Sequence, residues 1–445
     1  MLVGIIVEYM VTLQTALKLL RKNKGQNIFY FLSSFVTSTM VFMLCNMLNN
    51  TYYPTLDMER ITFFDPGPYA TGNFSTFSFL MFIALAYSLV LNYYTSQVFT
   101  NNYRRSITTL LLIGFSSARA SGVLLLMYAI LTIPAILISF VLSTTVFVPV
   151  LDTYIYGIMN CVNPPIGKIY YGTYPIYAAM IISLITLFVM VQKGQIESKT
   201  VTDLLHKRVR TNINFKNKLL QKIVARNYPL LYAIGIGFCL LKWEKVKIIP
   251  ALILGVYSCF GIMYFTIPED CRLIKKKNPT VNNYMILSGF VTDLRDSFLS
   301  CTMLMISVVV SVILICQENV SQISCIMSVI TLAAIIVMVC VSLFSQLYMG
   351  VEEREDNAYR EYCLGIPRNE ILALNTKELI LYFSSLILIP GLYCLAIIIP
   401  SVRYGSMQLS YGIAYMLLII IPLTITMIAT ILVYNSRIRR KLWKY

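Results

Sequence analysis

Hydrophobic residues in this chain gather into runs of membrane length, parted by short polar connectors. Ten runs stand out: Phe29–Leu48, Phe77–Val98, Ser121–Val148, Tyr174–Val191, Tyr228–Leu241, Ile248–Thr266, Phe298–Cys316, Ile323–Met349, Leu379–Ile399 and Tyr411–Val433. A helix of ~20 apolar residues crosses the hydrocarbon layer. Only a helix or a closed barrel satisfies its backbone polar groups there. The pattern therefore predicts an all-α polytopic membrane protein with about ten transmembrane helices. The fifth run is short, which predicts either a thin or re-entrant helix or one whose flanking Lys242 and Lys247 snorkel to the interface.

Two polar interruptions between the runs resemble each other. One spans Tyr103 to Arg119, the other Glu352 to Glu370. Each carries charges, then a helical stretch, then a glycine (Gly114, Gly365), then a small turn and another long apolar run. With these glycines in register, runs one to four and seven to ten share a layout. The organisation expected is residues 1–191 as an N-terminal four-span half, 192–280 as a basic linker with the fifth and sixth spans, and 281–445 as a C-terminal four-span half. Each interruption reads either as an ordinary charged connector or as a short helix lying flat at the membrane face, where a soluble partner docks. Their occurrence at matching places favours docking. Pro134 and Pro390 follow the two interruptions inside the next spans, as hinges or as tolerated membrane prolines.

Composition sharpens this. Of 445 residues, 58% are hydrophobic and 13% charged, against about 25% charged in soluble domains. The N-terminal segment lacks a short apolar core followed by a small-residue cleavage site, so no signal peptide is expected. The net charge of +16 reflects Lys and Arg collected in the connectors of one side, which puts both termini in the cytoplasm under the positive-inside rule; it does not call for nucleic acid. Lys242, Lys245 and Lys247 fall on the opposite side. The longest outer loop carries Tyr52, Tyr53, Phe63, Phe64 and Tyr69. These form an interfacial aromatic belt or contact a ligand. No GxxxxGK[ST] phosphate loop occurs, so no ATP is bound in this chain through that motif. No nucleophile, carboxylate pair or Cys/His cluster has a supporting context, so neither catalytic nor metal site is expected and the chain is not read as an enzyme. Charges are scarce inside the spans, which argues against an ion-coupled carrier.

The segment ALKLLRKNKGQNIFYFLSS, Ala16–Ser34, resembles the start of FtsX-superfamily permeases of the bacitracin-efflux (BceB) type. The two interruptions are similar to that superfamily's charged-helix-then-glycine coupling segments, and the ten-span order matches across the chain. The resemblance implies two pseudo-repeated four-helix FtsX-like halves joined by a helical pair. It implies the permease of an ABC transporter in the cell membrane, coupled to a separate ATPase dimer that binds ATP and Mg. Arg104, Arg105, Gly114, Arg119, Glu352, Glu353, Arg354 and Gly365 are then the ATPase-coupling residues. The functions implied are peptide export, antimicrobial-peptide resistance or mechanotransmission, with a peptide or lipid-linked substrate and a sensor kinase as partners. An FtsX-like transmitter that activates an extracellular partner without transport is the alternative. In one respect the chain departs from the BceB type. Only Gln317–Gln322 stands where those permeases carry a large extracellular domain, so the grounds for a bacitracin-like substrate and for kinase sensing are weakened.

Overall fold

The computed structural model describes residues 2–22, 24–50, 73–158, 164–196, 218–240, 248–277, 280–315, 322–404, 407 and 409–443. Among them every regular element is helical: α1 (Leu2–Lys22), α2 (Lys24–Leu48), α3 (Asn73–Leu112), α4 (Ser117–Leu142), α5 (Val148–Ile158), α6 (Thr173–Ile196), α7 (Lys218–Leu240), α8 (Ile248–Gly261), α9 (Ile267–Lys277), α10 (Val281–Asp296), α11 (Phe298–Ile315), α12 (Gln322–Cys363), α13 (Arg368–Arg403) and α14 (Leu409–Leu442). One π-helical turn, Ser143–Phe147, joins α4 to α5, and another, Ile262–Thr266, joins α8 to α9.

The described residues of each expected span lie within a helix or a helix continued through a π turn. Seven described segments are long and apolar enough to cross a membrane: Asn27–Leu48, Ser117–Ile158, Thr173–Gln192, Pro250–Lys277, Ile326–Tyr348, Arg368–Arg403 and Leu409–Leu442. An eighth forms if α10 and α11, bent by 72°, count as one broken span. The chain is thus a multi-pass membrane protein. The fifth expected run, as far as Leu240, lies in α7, a helix of 23 residues that begins at Lys218, and α7 is not among the seven segments.

The polar interruptions also differ from expectation. They are not separate flat helices. The first continues α3, a helix of 40 residues, and the second continues α12, of 42 residues. At 1.5 Å per residue these helices are about 60 Å long, roughly twice the hydrocarbon thickness. Polarity does not end a helix, and no proline stands between the apolar runs and the turns that follow.

The chain divides into two compact units. One comprises Met1–Ala70 and Leu85–Asn214, the other Thr71–Ala84 and Phe215–Tyr445. In the first unit, α4 packs on α2 and α1. Its core joins Leu20 of α1, Tyr30 of α2, Phe99, Tyr103 and Ile107 of α3, Val123, Met127 and Tyr128 of α4, and Phe188 of α6. Tyr128 stacks on Phe188 with 3.4 Å between ring centroids. In the second unit, α14 packs along both α12 and α13, while α10 lies against α13. Tyr382, Phe383, Leu386, Tyr393 and Ile397 of α13 are fully buried.

Candidate functional site

The ends of α3 and α12 are built alike. A helix leaves its last carbonyls without partners, and a residue of positive φ lets the next amides fold back on them. Gly114 has φ +102° and Gly365 has φ +94°. Gly114 N–H donates to the Leu111 carbonyl at 3.1 Å and Phe115 N–H to the Leu110 carbonyl at 3.0 Å. Gly365 N–H donates to the Tyr362 carbonyl at 3.0 Å and Ile366 N–H to the Glu361 carbonyl at 3.2 Å. The following helices start from extended residues, Ser116 (φ −67°, ψ 154°) and Pro367 (φ −66°, ψ 146°). In the register that pairs Gly114 with Gly365, every one of these features coincides. So does one more: the residue before each glycine is a bare aliphatic, Ile113 at 71% exposure and Leu364 at 82%.

Each long helix is also anchored 11 residues before its glycine, at Tyr103 and at Arg354. In the first unit the anchor is neutral. Tyr103 donates its hydroxyl to Asn27 Oδ1 at 2.5 Å, and Asn27 Nδ2 donates to the Leu20 carbonyl at 2.7 Å. In the second unit the anchor is ionic. Arg354 Nη2 donates both to Asp293 of α10 and to Glu378 of α13, the latter at 2.6 Å. Its Nη1 donates to Asn375 Oδ1 at 2.9 Å, and the guanidinium carbon lies 5.0 Å from the centre of the Tyr434 ring of α14. Asn375 Nδ2 donates in turn to Asn435 Oδ1 at 3.2 Å. Four helices thus meet at one side chain. Burial works against the guanidinium charge, but the facing carboxylates of Asp293 and Glu378 outweigh it and raise its pKa above the ordinary value. Gly289 of α10 sits so close to the Glu378 carboxylate that an added Cβ would overlap it.

Neither a protein-family model nor a curated protein sequence matches the chain. The geometry therefore carries the functional reading.

Of the expected coupling residues, Gly114 and Gly365 form the two turns, and Arg119 lies in the first turn of α4, its backbone N–H donating to Ser116 Oγ at 3.3 Å. Arg104 is half-buried one residue after Tyr103. Arg105, Glu352 and Glu353 lie in the helical backbone of α3 and α12, but their side chains fall outside the described structure. Arg354 is turned inward, where it holds α12 to α10 and α13. Tyr52, Tyr53, Phe63, Phe64 and Tyr69 lie outside the described residues.

Asp293, Asn375, Glu378 and Tyr434 were not singled out from the sequence, yet their positions carry a signal. Phe290, Asp293 and Leu294 make one buried stripe of α10. Ile371, Leu374, Asn375, Glu378, Leu379 and Tyr382 make another on α13. On α12, Val351 and Ala358 flank Arg354. Polar residues at the 3-and-4 spacing of a buried helix face must find partners there, because burying an unpaired charge is costly.

Proposed function

We propose that this chain is the membrane-spanning subunit of an ATP-driven transporter or mechanotransmitter of FtsX-superfamily type, moved by a separate ATPase dimer. The observation that carries the reading is the pair of matching turns, each ending a helix of about 60 Å and each presenting a bare aliphatic before its glycine. A soluble protein can cover Ile113 and Leu364 and gain from burying them. A rigid helix ending there transmits a push into the membrane along its own axis. In this reading the ten runs expected from the sequence divide into two halves of four and a central pair, and each half has one such lever. The excess of Lys and Arg in the connectors supports cytoplasmic termini in the cell membrane and turns on the cytoplasmic side. The substrate class in this reading is a peptide or a lipid-linked molecule, met in the outer loops or in grooves between helices.

The test is purification of the tagged full-length chain from its native host, with mass spectrometry for a co-purifying protein that contains a phosphate-loop ATPase sequence. Recovery of an ATPase from wild type, and its loss from the double variant I113E/L364E, is the expected result. If no ATPase is recovered, or if the double variant retains it undiminished, the docking assignment is wrong. Recovered ATPase activity that responds to an extracellular protein partner and not to peptides would favour the transmitter over the exporter.

A further inference from the structure

The last turn of α9 and the first turns of α10, together called the elbow, combine features that belong at a membrane surface. From Ile248 to Thr266 the chain runs through 19 residues of helix without a charge, about 28 Å and so about one hydrocarbon thickness. The helix then changes character within α9, IPEDCRLIKKK, which ends in Lys275, Lys276 and Lys277. The next helix, α10, meets α11 at 72°. If the apolar helix α11 stands along the membrane normal, that angle lays α10 close to the membrane plane. One face of α10 is packed inward through Phe290, Asp293 and Leu294. Its outer face shows Val281 at 66% and Tyr284 at 61% exposure. The Lys275 ammonium lies 4.8 Å from the centre of the Tyr284 ring, so a cation of α9 and an aromatic of α10 sit together. Leu273 and Ile274, beside the lysines, are exposed as well.

We propose that this elbow is a binding surface for anionic phospholipid headgroups in the leaflet where α10 lies. At a membrane surface, apolar and aromatic side chains such as Val281 and Tyr284 enter the boundary layer while cations stay at its outer edge. Tyrosine prefers this depth because its ring is apolar and its hydroxyl is polar. Lysines near the surface are drawn to anionic lipid phosphates. Charge complementarity selects the occupant: Lys275, Lys276, Lys277 and Arg272 present four cations, and Glu269, 3.5 Å from Arg272, and Asp270 offset two of them toward the start of α9. A zwitterionic headgroup supplies no net charge to match the excess. The assignment does not depend on the ATPase reading.

The experiment uses the full chain with Trp243 and Trp443 replaced by phenylalanine and a single probe introduced as Tyr284→Trp, reconstituted in bilayers. Brominated phosphatidylglycerol and brominated phosphatidylcholine are compared as quenchers at equal mole fraction. The anionic lipid should quench about twofold more or better, and the preference should vanish in K275Q/K276Q/K277Q. Inorganic phosphate, added at constant ionic strength, should leave the preference unchanged. Equal quenching by the two lipids, a preference that survives the triple substitution, or displacement by inorganic phosphate would each overturn the proposal. The substituted lysines end at an exposed elbow, and an unchanged helical circular dichroism spectrum verifies that the variants are folded.

Discussion

At the scale of single residues, the balance of charge around Arg354 decides what its neighbours do. Two carboxylates, Asp293 and Glu378, accept from the same guanidinium nitrogen, so they lie within a few ångströms of each other and the guanidinium offsets their repulsion. Removing it leaves two carboxyl groups close together in a partly dry site, so one must take up a proton or repel the other. Arg354→Ala should destabilise the second unit by about 3 kcal/mol or more, the range for breaking a buried ion pair. Glu378→Gln is a different experiment. It keeps a one-to-one pair with Asp293 and removes a repulsion, so its cost should stay below about 1 kcal/mol. Thermal unfolding in detergent, followed by circular dichroism, gives the order of the two. If the glutamine variant melts as early as the alanine variant, Glu378 is holding the cluster by more than its charge. On the neutral side, Tyr103→Phe deletes the donor to Asn27 Oδ1 and should cost about 1 kcal/mol, the net worth of one hydrogen bond, read in the same melt.

At the scale of elements, the two glycine turns are the most testable feature. A Cβ built on Gly114 or on Gly365 meets nothing within 4 Å. Any penalty for Gly→Ala there therefore comes from the backbone at φ +102° and +94°, about 1–2 kcal/mol for an L-residue in left-handed space. Both variants should lose stability by similar amounts, and Gly114→Asn should lose less, since asparagine tolerates this region; unequal alanine penalties in chemical denaturation would mean that the turns are not physically alike. These turns were legible in the sequence because a glycine after a helical run, with a small turn behind it, is a local rule. The path leading to them was less legible. Charges in FTNNYRRSITT and VEEREDNAYREYC suggested a break, but a helix outside the bilayer is expected to be polar, so α3 and α12 simply continue. The Arg354 cluster was harder still. Its members come from four helices, and no local pattern says which polar residue on a buried stripe meets which. What the sequence offered was Asp293, Asn375 and Glu378 on faces otherwise filled by Phe290, Leu294, Ile371, Leu374 and Leu379.

At the scale of the whole molecule, the matched turns end levers that are held differently. The end of α3 is held by aromatic packing and the Tyr103–Asn27 hydrogen bond. The end of α12 is held by the Arg354 cluster, and α14 adds two polar ties: Lys441 to Asp356, and Arg437 to the Tyr348 hydroxyl at 3.0 Å. Surface ties of this kind contribute little singly, whereas charge-assisted bonds to a buried guanidinium are about twice as strong as neutral ones. Local opening therefore costs more at the second lever than at the first. In the isolated protein, backbone amides of residues 104–112 should exchange with deuterium faster than those of residues 355–363, and Arg354→Ala should bring the second set towards the first. Hydrogen-exchange mass spectrometry on the detergent-solubilised chain reads both segments in one experiment. Equal protection in wild type, or an Arg354→Ala variant whose exchange at 355–363 does not change, would show that the ion cluster does not set the stiffness of α12. If the order holds, the end of α12 is stiffer than the end of α3, and under the docking proposal a partner pressing on each turn meets unequal resistance, set by Tyr103 in one helix and Arg354 in the other.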